Sequence, residues 1–156
     1  MKVFKFGGAS VKDAVGVKNL SSIIHQQHGQ LIVVVSAMGK TTNLLETLCN
    51  AYFHQDPKAT AIMKELKNFH LDIVNTLFPL NAPVYKHLEE LFTNLENILT
   101  SESSLCYDYE YDRIICFGEL ISTTIISDYL KMEGIENQFI DIRKFLKTDQ
   151  NYRNAN

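Results

Sequence analysis

The sequence lacks the features of two large classes of protein. Its longest apolar run is the five residues from Leu31 to Val35, whereas a transmembrane helix needs roughly 20. It contains no block of Lys or Arg, and its net charge of −3 argues against a surface for nucleic acid. We therefore expect neither a membrane nor a nucleic acid among its partners.

Cysteine and histidine are few and scattered. The three cysteines, Cys49, Cys106 and Cys116, are odd in number and form no CxxC motif, so we expect free thiols and a cytoplasmic protein. Met1 and Lys2 lead at once into a strand pattern, so we expect no secretory leader. The five histidines form no HExxH motif, and we expect no protein-bound metal.

A chain of 156 residues that is 46% hydrophobic is typical of one globular domain with a real core. Lys2–Phe6 is predicted as a buried strand, and Val11 begins an amphipathic helix that ends near Gly29. The apolar run Leu31–Val35 is predicted as a strand covered on both faces. Strand, helix and strand in this order predict a parallel βαβ unit.

The remainder is mostly helical by its spacing of apolar residues. Residues 57–104 predict two antiparallel helices separated by the Pro79–Pro83 break, and Asp112–Met132 predicts a third that ends at Gly134. Asn137–Asp141 is predicted as a short strand. Three strands are few for this much helix, which favours a chain cut inside a larger α/β domain.

The segment Lys5-Phe6-Gly7-Gly8-Ala9-Ser10 is the first candidate site. Glycines after a strand leave room for an anion to approach the backbone, and the helix that follows favours negative charge. A lysine just before the turn could contact a phosphate. The alternative is that the glycines serve only to turn the chain.

The loop Ser36–Asn43 is the second candidate, at the edge of the sheet where α/β proteins bind ligands. Gly39-Lys40-Thr41 is not a Walker A loop, because the glycine required five residues before the Gly-Lys pair is replaced by Val34. The hydroxyl groups of Ser36, Thr41 and Thr42 could bind a ligand. Alternatively, Thr41 or Thr42 caps the next helix.

Glu119 is the third candidate, because it stands in a mainly apolar helix with no Lys or Arg one turn away. Such a carboxylate reaches solvent, meets a distant cation or binds a cationic ligand. An exposed Glu on the wet face of the helix is the plain alternative. Asp141 and Arg143 could be a structural pair or the edge of a site, and the sequence leaves this open.

Together these segments resemble the aspartate kinases of the amino-acid-kinase family. The matching motifs are Lys5–Val11, Val34–Gly39 with Thr42–Leu45, Gly118–Ser122, and Asp141–Arg143 with Thr148-Asp149. The resemblance implies a three-layer αβα sandwich around a mostly parallel sheet. It also implies transfer of the γ-phosphoryl group of MgATP to the side-chain carboxylate of L-aspartate, the first step of lysine, threonine and methionine biosynthesis.

The same resemblance implies roles for individual residues. Lys5, as the catalytic residue, would neutralise the transferring phosphoryl group, and Gly7, Gly8 and Ser10 would complete the phosphate-binding turn. Ser36, Thr42 and Glu119 would bind aspartate, with Glu119 holding its ammonium. The full-length protein is expected to be a homo-oligomer.

The sequence also departs from the family pattern. Ala9 replaces the usual Thr, and the 156 residues lack the nucleotide-binding half, the substrate-clamping arginine and the regulatory ACT domains. We therefore expect residues 1–156 to be the aspartate-side part of the kinase domain, with a helical insertion at about 57–104, and to be inactive alone. The alternatives are a related kinase acting on another carboxylate, carbamate or nucleoside monophosphate, or a non-catalytic aspartate-binding module.

Overall fold

The computed structural model describes residues 1–146 and Tyr152. Two strands and six helices follow one another in this part of the chain. They are β1 (Lys2–Phe6), α1 (Ala14–His25), β2 (Leu31–Val35), α2 (Thr41–Phe53), α3 (Lys58–Leu77), α4 (Pro83–Thr100), α5 (Tyr107–Ile115) and α6 (Phe117–Met132). Short 3-10 turns occupy Gly8–Val11 and Ile142–Lys144.

The N-terminal βαβ unit has the predicted form. β1 and β2 pair in parallel, with Lys2 opposite Leu31 and Phe6 opposite Val35. Because the register is even, both strands end side by side, and the loops that follow them leave from the same edge of the sheet. Asp13 caps α1 by accepting a hydrogen bond from the Gly16 N–H at 2.8 Å, which explains why this helix begins three residues after Val11.

The expectation that β2 is covered on both faces is wrong for the described part of the chain. Leu31, Val33 and Val35 pack against the core, but Ile32 and Val34 on the opposite face are 46% and 45% exposed. Val3 of β1, at 60%, is exposed as well. The helices that cover this small parallel sheet therefore lie on one of its faces.

The long middle region forms the predicted pair of helices, α3 and α4. Proline stands at the first position of α4, where its missing N–H would have no partner in any case. α3 packs on α2 and α4 packs on α6. Leu66, Val74, Leu88 and Leu95 are fully buried in the core between these elements.

Two predictions for the C-terminal third are wrong. The helix expected over Asp112–Met132 begins five residues earlier and is divided into α5 and α6 at Cys116, whose thiol donates to the Arg113 carbonyl at 3.4 Å. Asn137–Asp141 is not a strand. The Asn137 side chain instead bonds both the hydroxyl and the carbonyl of Ser127, which holds this segment against α6.

Candidate active site at the ends of the two strands

Two loops meet where β1 and β2 end. The Ser36 N–H donates to the Phe6 carbonyl at 3.1 Å, and the Gly39 N–H donates to the Gly8 carbonyl at 3.1 Å. A Cβ atom at Gly8 would lie 2.5 Å from the Ala37 carbonyl oxygen, closer than atoms can approach. Gly8 is therefore required for this contact, and the glycine turn is more than a simple change of direction.

Lys5 and the rest of the predicted phosphate-binding turn lie at this edge. A Cβ atom at Gly7 would have the Lys5 Nζ as its nearest neighbour, 4.0 Å away, so the ammonium group lies beside the turn. Lys5 and Ser10 are exposed and Gly7 is half-buried. Within the described residues, no carboxylate lies within 4.0 Å of the Lys5 ammonium, which leaves this charge available to an anion.

The start of α6 contacts the second loop. The Glu119 carboxylate accepts a hydrogen bond from the Ala37 N–H at 3.3 Å, and the buried Ser122 hydroxyl donates to the Ser36 carbonyl at 2.9 Å. A Cβ at Gly118 would lie 2.9 Å from the Ala37 Cβ, so this glycine permits the close approach. Glu119 is exposed, but it faces the loop rather than open water alone.

The two neighbouring threonines of the second loop have different environments. The N-cap of α2 is Lys40, and no side chain caps this helix, so the alternative that Thr41 or Thr42 caps it is wrong. The Thr41 hydroxyl, in a side chain that is 2% exposed, lies 3.2 Å from Nε2 of His70. Thr42 and Ser36 are half-buried.

His70 is a residue of this region that the sequence analysis did not select. It lies in α3, is fully buried, and its Nδ1 is 2.8 Å from the Leu66 carbonyl. Because a carbonyl can only accept, Nδ1 carries the proton and Nε2 accepts from the Thr41 hydroxyl. Burial lowers the pKa of His70 to about 4, so the ring is neutral near pH 7. Its position four residues after Leu66 on the apolar face of α3 was the available signal.

Asp141 and Arg143 form a pair. The guanidinium makes two hydrogen bonds to the Asp141 carboxylate, of 2.9 and 2.7 Å, and a third of 3.2 Å to the Cys116 sulfur. These hydrogen bonds lower the pKa of Asp141, while burial raises the pKa of the Cys116 thiol. The pair thus fixes the junction of α5 and α6, three residues before Glu119. Thr148-Asp149 lies outside the described residues.

Six of the seven predicted site residues thus lie at one edge of the sheet, and the seventh, Ser10, lies on the flank of the glycine turn. The six are Lys5, Gly7, Gly8, Ser36, Thr42 and Glu119. Among residues 1–146 and Tyr152, no cluster of three His, Cys, Asp or Glu side chains is arranged to hold a metal ion. In the same residues, no helix is both long enough and apolar enough to cross a membrane.

The profile of the amino acid kinase family matches residues 1–156, and the chain belongs to that family. Within it, the chain is similar to aspartokinases. It is 31% identical to the chloroplastic aspartokinase 2 of Arabidopsis thaliana over an alignment that covers 94% of this chain and 28% of that protein.

Solved aspartokinase structures have the same fold. Escherichia coli aspartokinase III with lysine and aspartate superposes with a TM-score of 0.87 at 24% identity, over 100% of this chain and 34% of the other. The same enzyme with aspartate and ADP gives 0.84 at 25% identity, over 97% and 33%. The chain thus spans about a third of the length of the relatives it matches.

The two glycines of the turn should respond differently to a methyl group. Gly8→Ala places a Cβ against backbone oxygen and is expected to lower the free energy of unfolding by about 1–3 kcal/mol, as overpacking does. Gly7→Ala is the matched control, because its Cβ would meet nothing closer than 4.0 Å, and it should cost under about 0.5 kcal/mol. Urea unfolding measures both, and equal losses would contradict the close contact at Gly8.

The buried neutral His70 should make folding sensitive to acid. Its pKa is lowered from the ordinary 6.5 to about 4, so between these values the unfolded chain binds the extra proton and stability falls as the pH falls. The loss should approach about 3 kcal/mol from this residue. Unfolding free energies measured at several pH values should fall less steeply in His70→Gln than in the wild type. Equal slopes of unfolding free energy against pH in the two proteins would show that His70 is not held in a buried, neutral form.

Proposed function

We propose that the full-length protein transfers the γ-phosphoryl group of MgATP to the side-chain carboxylate of L-aspartate, giving 4-phospho-L-aspartate. The observation that carries this proposal is the convergence of three segments at the ends of β1 and β2. The glycine turn with Lys5, the Ser36–Thr42 loop and the start of α6 with Glu119 are joined by direct hydrogen bonds. Phosphoryl transfer depends mainly on such positioning and on charge neutralisation.

The glycine turn would hold the transferring phosphoryl group. The exposed Lys5 ammonium lies beside Gly7, where it would neutralise charge that builds up on the phosphoryl oxygens. Gly7 and Gly8, which carry no Cβ, allow backbone N–H groups to come close to those oxygens. Ser10, on the exposed flank of the turn, would add a hydroxyl donor.

The second loop and α6 would hold the amino acid. Ser36 follows the end of β2 and Thr42 is the second residue of α2, where their hydroxyl groups would bind the substrate. The first turn of α2 contains no acidic residue, which suits a carboxylate ligand. Glu119 would bind the ammonium group of the substrate. Arg143, which bonds the sulfur of Cys116 three residues before Glu119, is itself engaged by Asp141.

The chemistry asks little more of these residues. The aspartate side chain is ionised near neutral pH and is itself the nucleophile, so no strong general base is needed. Magnesium would arrive with the nucleotide and would shield the phosphate oxygens. Lys5 and the turn would orient the phosphoryl group, while Glu119 and Thr42 would orient the attacking carboxylate.

The remaining parts of the proposal concern the whole protein. The solved relative that holds aspartate and ADP is about three times as long as this chain, so we expect residues 1–156 alone to be inactive and the nucleotide-binding half to lie outside them. We further propose a homo-oligomeric, cytoplasmic enzyme of lysine, threonine and methionine biosynthesis. The three cysteines, which form no disulfide in the described residues, support a reducing compartment.

The full-length protein, as its gene encodes it, should form ADP from MgATP when L-aspartate is supplied. L-glutamate and UMP, tested at equal concentrations in a coupled ADP assay, should give no turnover above background. Activity with UMP or glutamate but not with aspartate would agree with the kinase fold but would replace aspartate as the proposed substrate. Silence with every acceptor, from a folded protein, would favour an aspartate-binding module, which calorimetry with aspartate would then detect.

The two charged residues of the site should affect different kinetic constants. Glu119→Ala removes the partner of the substrate ammonium and should raise KM for aspartate by about tenfold or more, the cost of one charged hydrogen bond. Lys5→Ala should instead lower kcat by about 100-fold or more, because it acts on charge that develops in the transition state.

Control variants for these charges are Glu133→Ala, at the far end of α6, and Lys18→Ala, on the exposed side of α1. Both should behave as the wild type. An unchanged KM for aspartate in Glu119→Ala would remove Glu119 from the substrate site, and an unchanged kcat in Lys5→Ala would do the same for the phosphoryl site.

A further inference from the structure

Helix α3 reaches the candidate site through a buried chain of hydrogen bonds. It runs from the Leu66 carbonyl through the His70 ring to the Thr41 hydroxyl, with distances of 2.8 and 3.2 Å. Every side chain in it is almost fully buried, since Leu66 and His70 are 0% and Thr41 is 2% exposed. The Thr41 hydroxyl therefore has no water to replace this partner.

The ring of His70 is itself held in place. Its Nδ1–H is tied to its own helix one turn back, and the rings of Phe69 and Phe92 lie beside it, with centroids 5.0 and 6.3 Å away. The acceptor Nε2 is thus presented in one direction, toward the first residue of α2. Apolar contacts alone are not directional, whereas this hydrogen bond fixes both the distance and the angle of approach.

α3 contacts the same loop at a second place. A Cβ atom at Gly39 would lie 3.4 Å from the Phe69 ring, and the backbone there has a φ of +54°, a conformation that glycine adopts freely. Phe69 and His70 are consecutive, so one turn of α3 supports both ends of the segment Gly39–Thr41. The next residue is Thr42, and the segment is anchored on its other side by the hydrogen bond from Gly39 to Gly8.

We propose that His70 is a positioning residue for the Ser36–Asn43 loop. Through its hydrogen bond to Thr41, His70 holds the start of α2, and with it the Thr42 hydroxyl, in place. The proposal rests on the proposed function for the identity of the ligand, L-aspartate. The position of the loop itself does not depend on that function. His70 does not touch substrate in this arrangement and acts only through Thr41.

The test compares variants of the two partners in the full-length protein. Thr41→Val keeps the shape and removes the hydroxyl, Thr41→Ser keeps the hydroxyl, and His70→Leu removes the acceptor. The double variant Thr41→Val/His70→Leu removes both polar groups together. Thr47→Val is the matched control, because Thr47 also lies in α2 but its hydroxyl donates to the Asn43 carbonyl of its own helix.

The variants should affect the free energy of unfolding and KM for aspartate differently. Each of Thr41→Val and His70→Leu leaves a buried polar group without its partner, whereas the double variant leaves none, so its unfolding free energy should recover toward that of the wild type. KM for aspartate should rise about fivefold in both single variants, the ratio that corresponds to one net hydrogen bond. It should stay raised in the double variant, because the loop is still untethered, while Thr41→Ser and Thr47→Val should remain at the wild-type value.

Two kinetic results would overturn the proposal. A double variant that regains the wild-type KM along with its stability would show that His70 serves folding alone. Equal KM values for Thr41→Val and Thr41→Ser would show that the hydroxyl positions nothing.

Amide hydrogen exchange tests the same proposal without any turnover. The Gly39 and Thr41 N–H groups bond the Gly8 and Met38 carbonyls, and both should exchange about fivefold faster or more in His70→Leu. The Glu133 N–H at the end of α6, bonded to Tyr129, is the internal control. Unchanged exchange at Gly39 and Thr41 would overturn the positioning role. A wild-type protein without aspartate-dependent turnover would instead overturn the proposed function, and hydrogen exchange would then still test whether His70 positions the loop.

Discussion

The close backbone approach between the glycine turn and the Ala37–Gly39 loop is the constraint on which the site depends. Two parallel strands in even register bring both loops to one edge, but only a residue without a Cβ at Gly8 lets the backbones come into contact. Once they do, the Ala37 N–H is fixed where the Glu119 carboxylate can accept from it. The charges of Lys5 and Glu119 are thereby placed by backbone geometry rather than by each other.

Much of this arrangement could be predicted from the sequence, because the spacing of apolar residues and the positions of glycine and proline determine it locally. The β-branched run Leu31–Val35 and the strand Lys2–Phe6 have the predicted bounds, and the apolar spacing around the Pro79–Pro83 break gave both α3 and α4. The meeting of Lys5, Thr42 and Glu119 at one edge needs more than local pattern. It follows from parallel pairing and from the resemblance to aspartate kinases, which the family match and the similarity to known aspartokinases confirm.

The wrong predictions concern side-chain contacts and coverage that the pattern of apolar residues does not show. Asn137–Asp141 has the composition of a strand, but the side chain of Asn137 binds Ser127, which no local pattern shows. The helix break at Cys116 coincides with a hydrogen bond from the Cys116 thiol to the Arg113 carbonyl and with one from the Arg143 guanidinium to the Cys116 sulfur. Similarly, the exposed Ile32 and Val34 look like core residues by composition, since burial depends on what covers the sheet.

The helices α3 and α4, which separate the second and third motifs in the sequence, do more than enlarge the hydrophobic core. An apolar helix face can be repacked with little change in energy, so packing by itself does not determine where a hydroxyl group points. A buried polar pair does, because a misplaced partner leaves an unsatisfied group in a medium without water. Thr41 and His70 form such a pair across α2 and α3, so the orientation of the Ser36–Asn43 loop is coupled to the packing of α3 on the core.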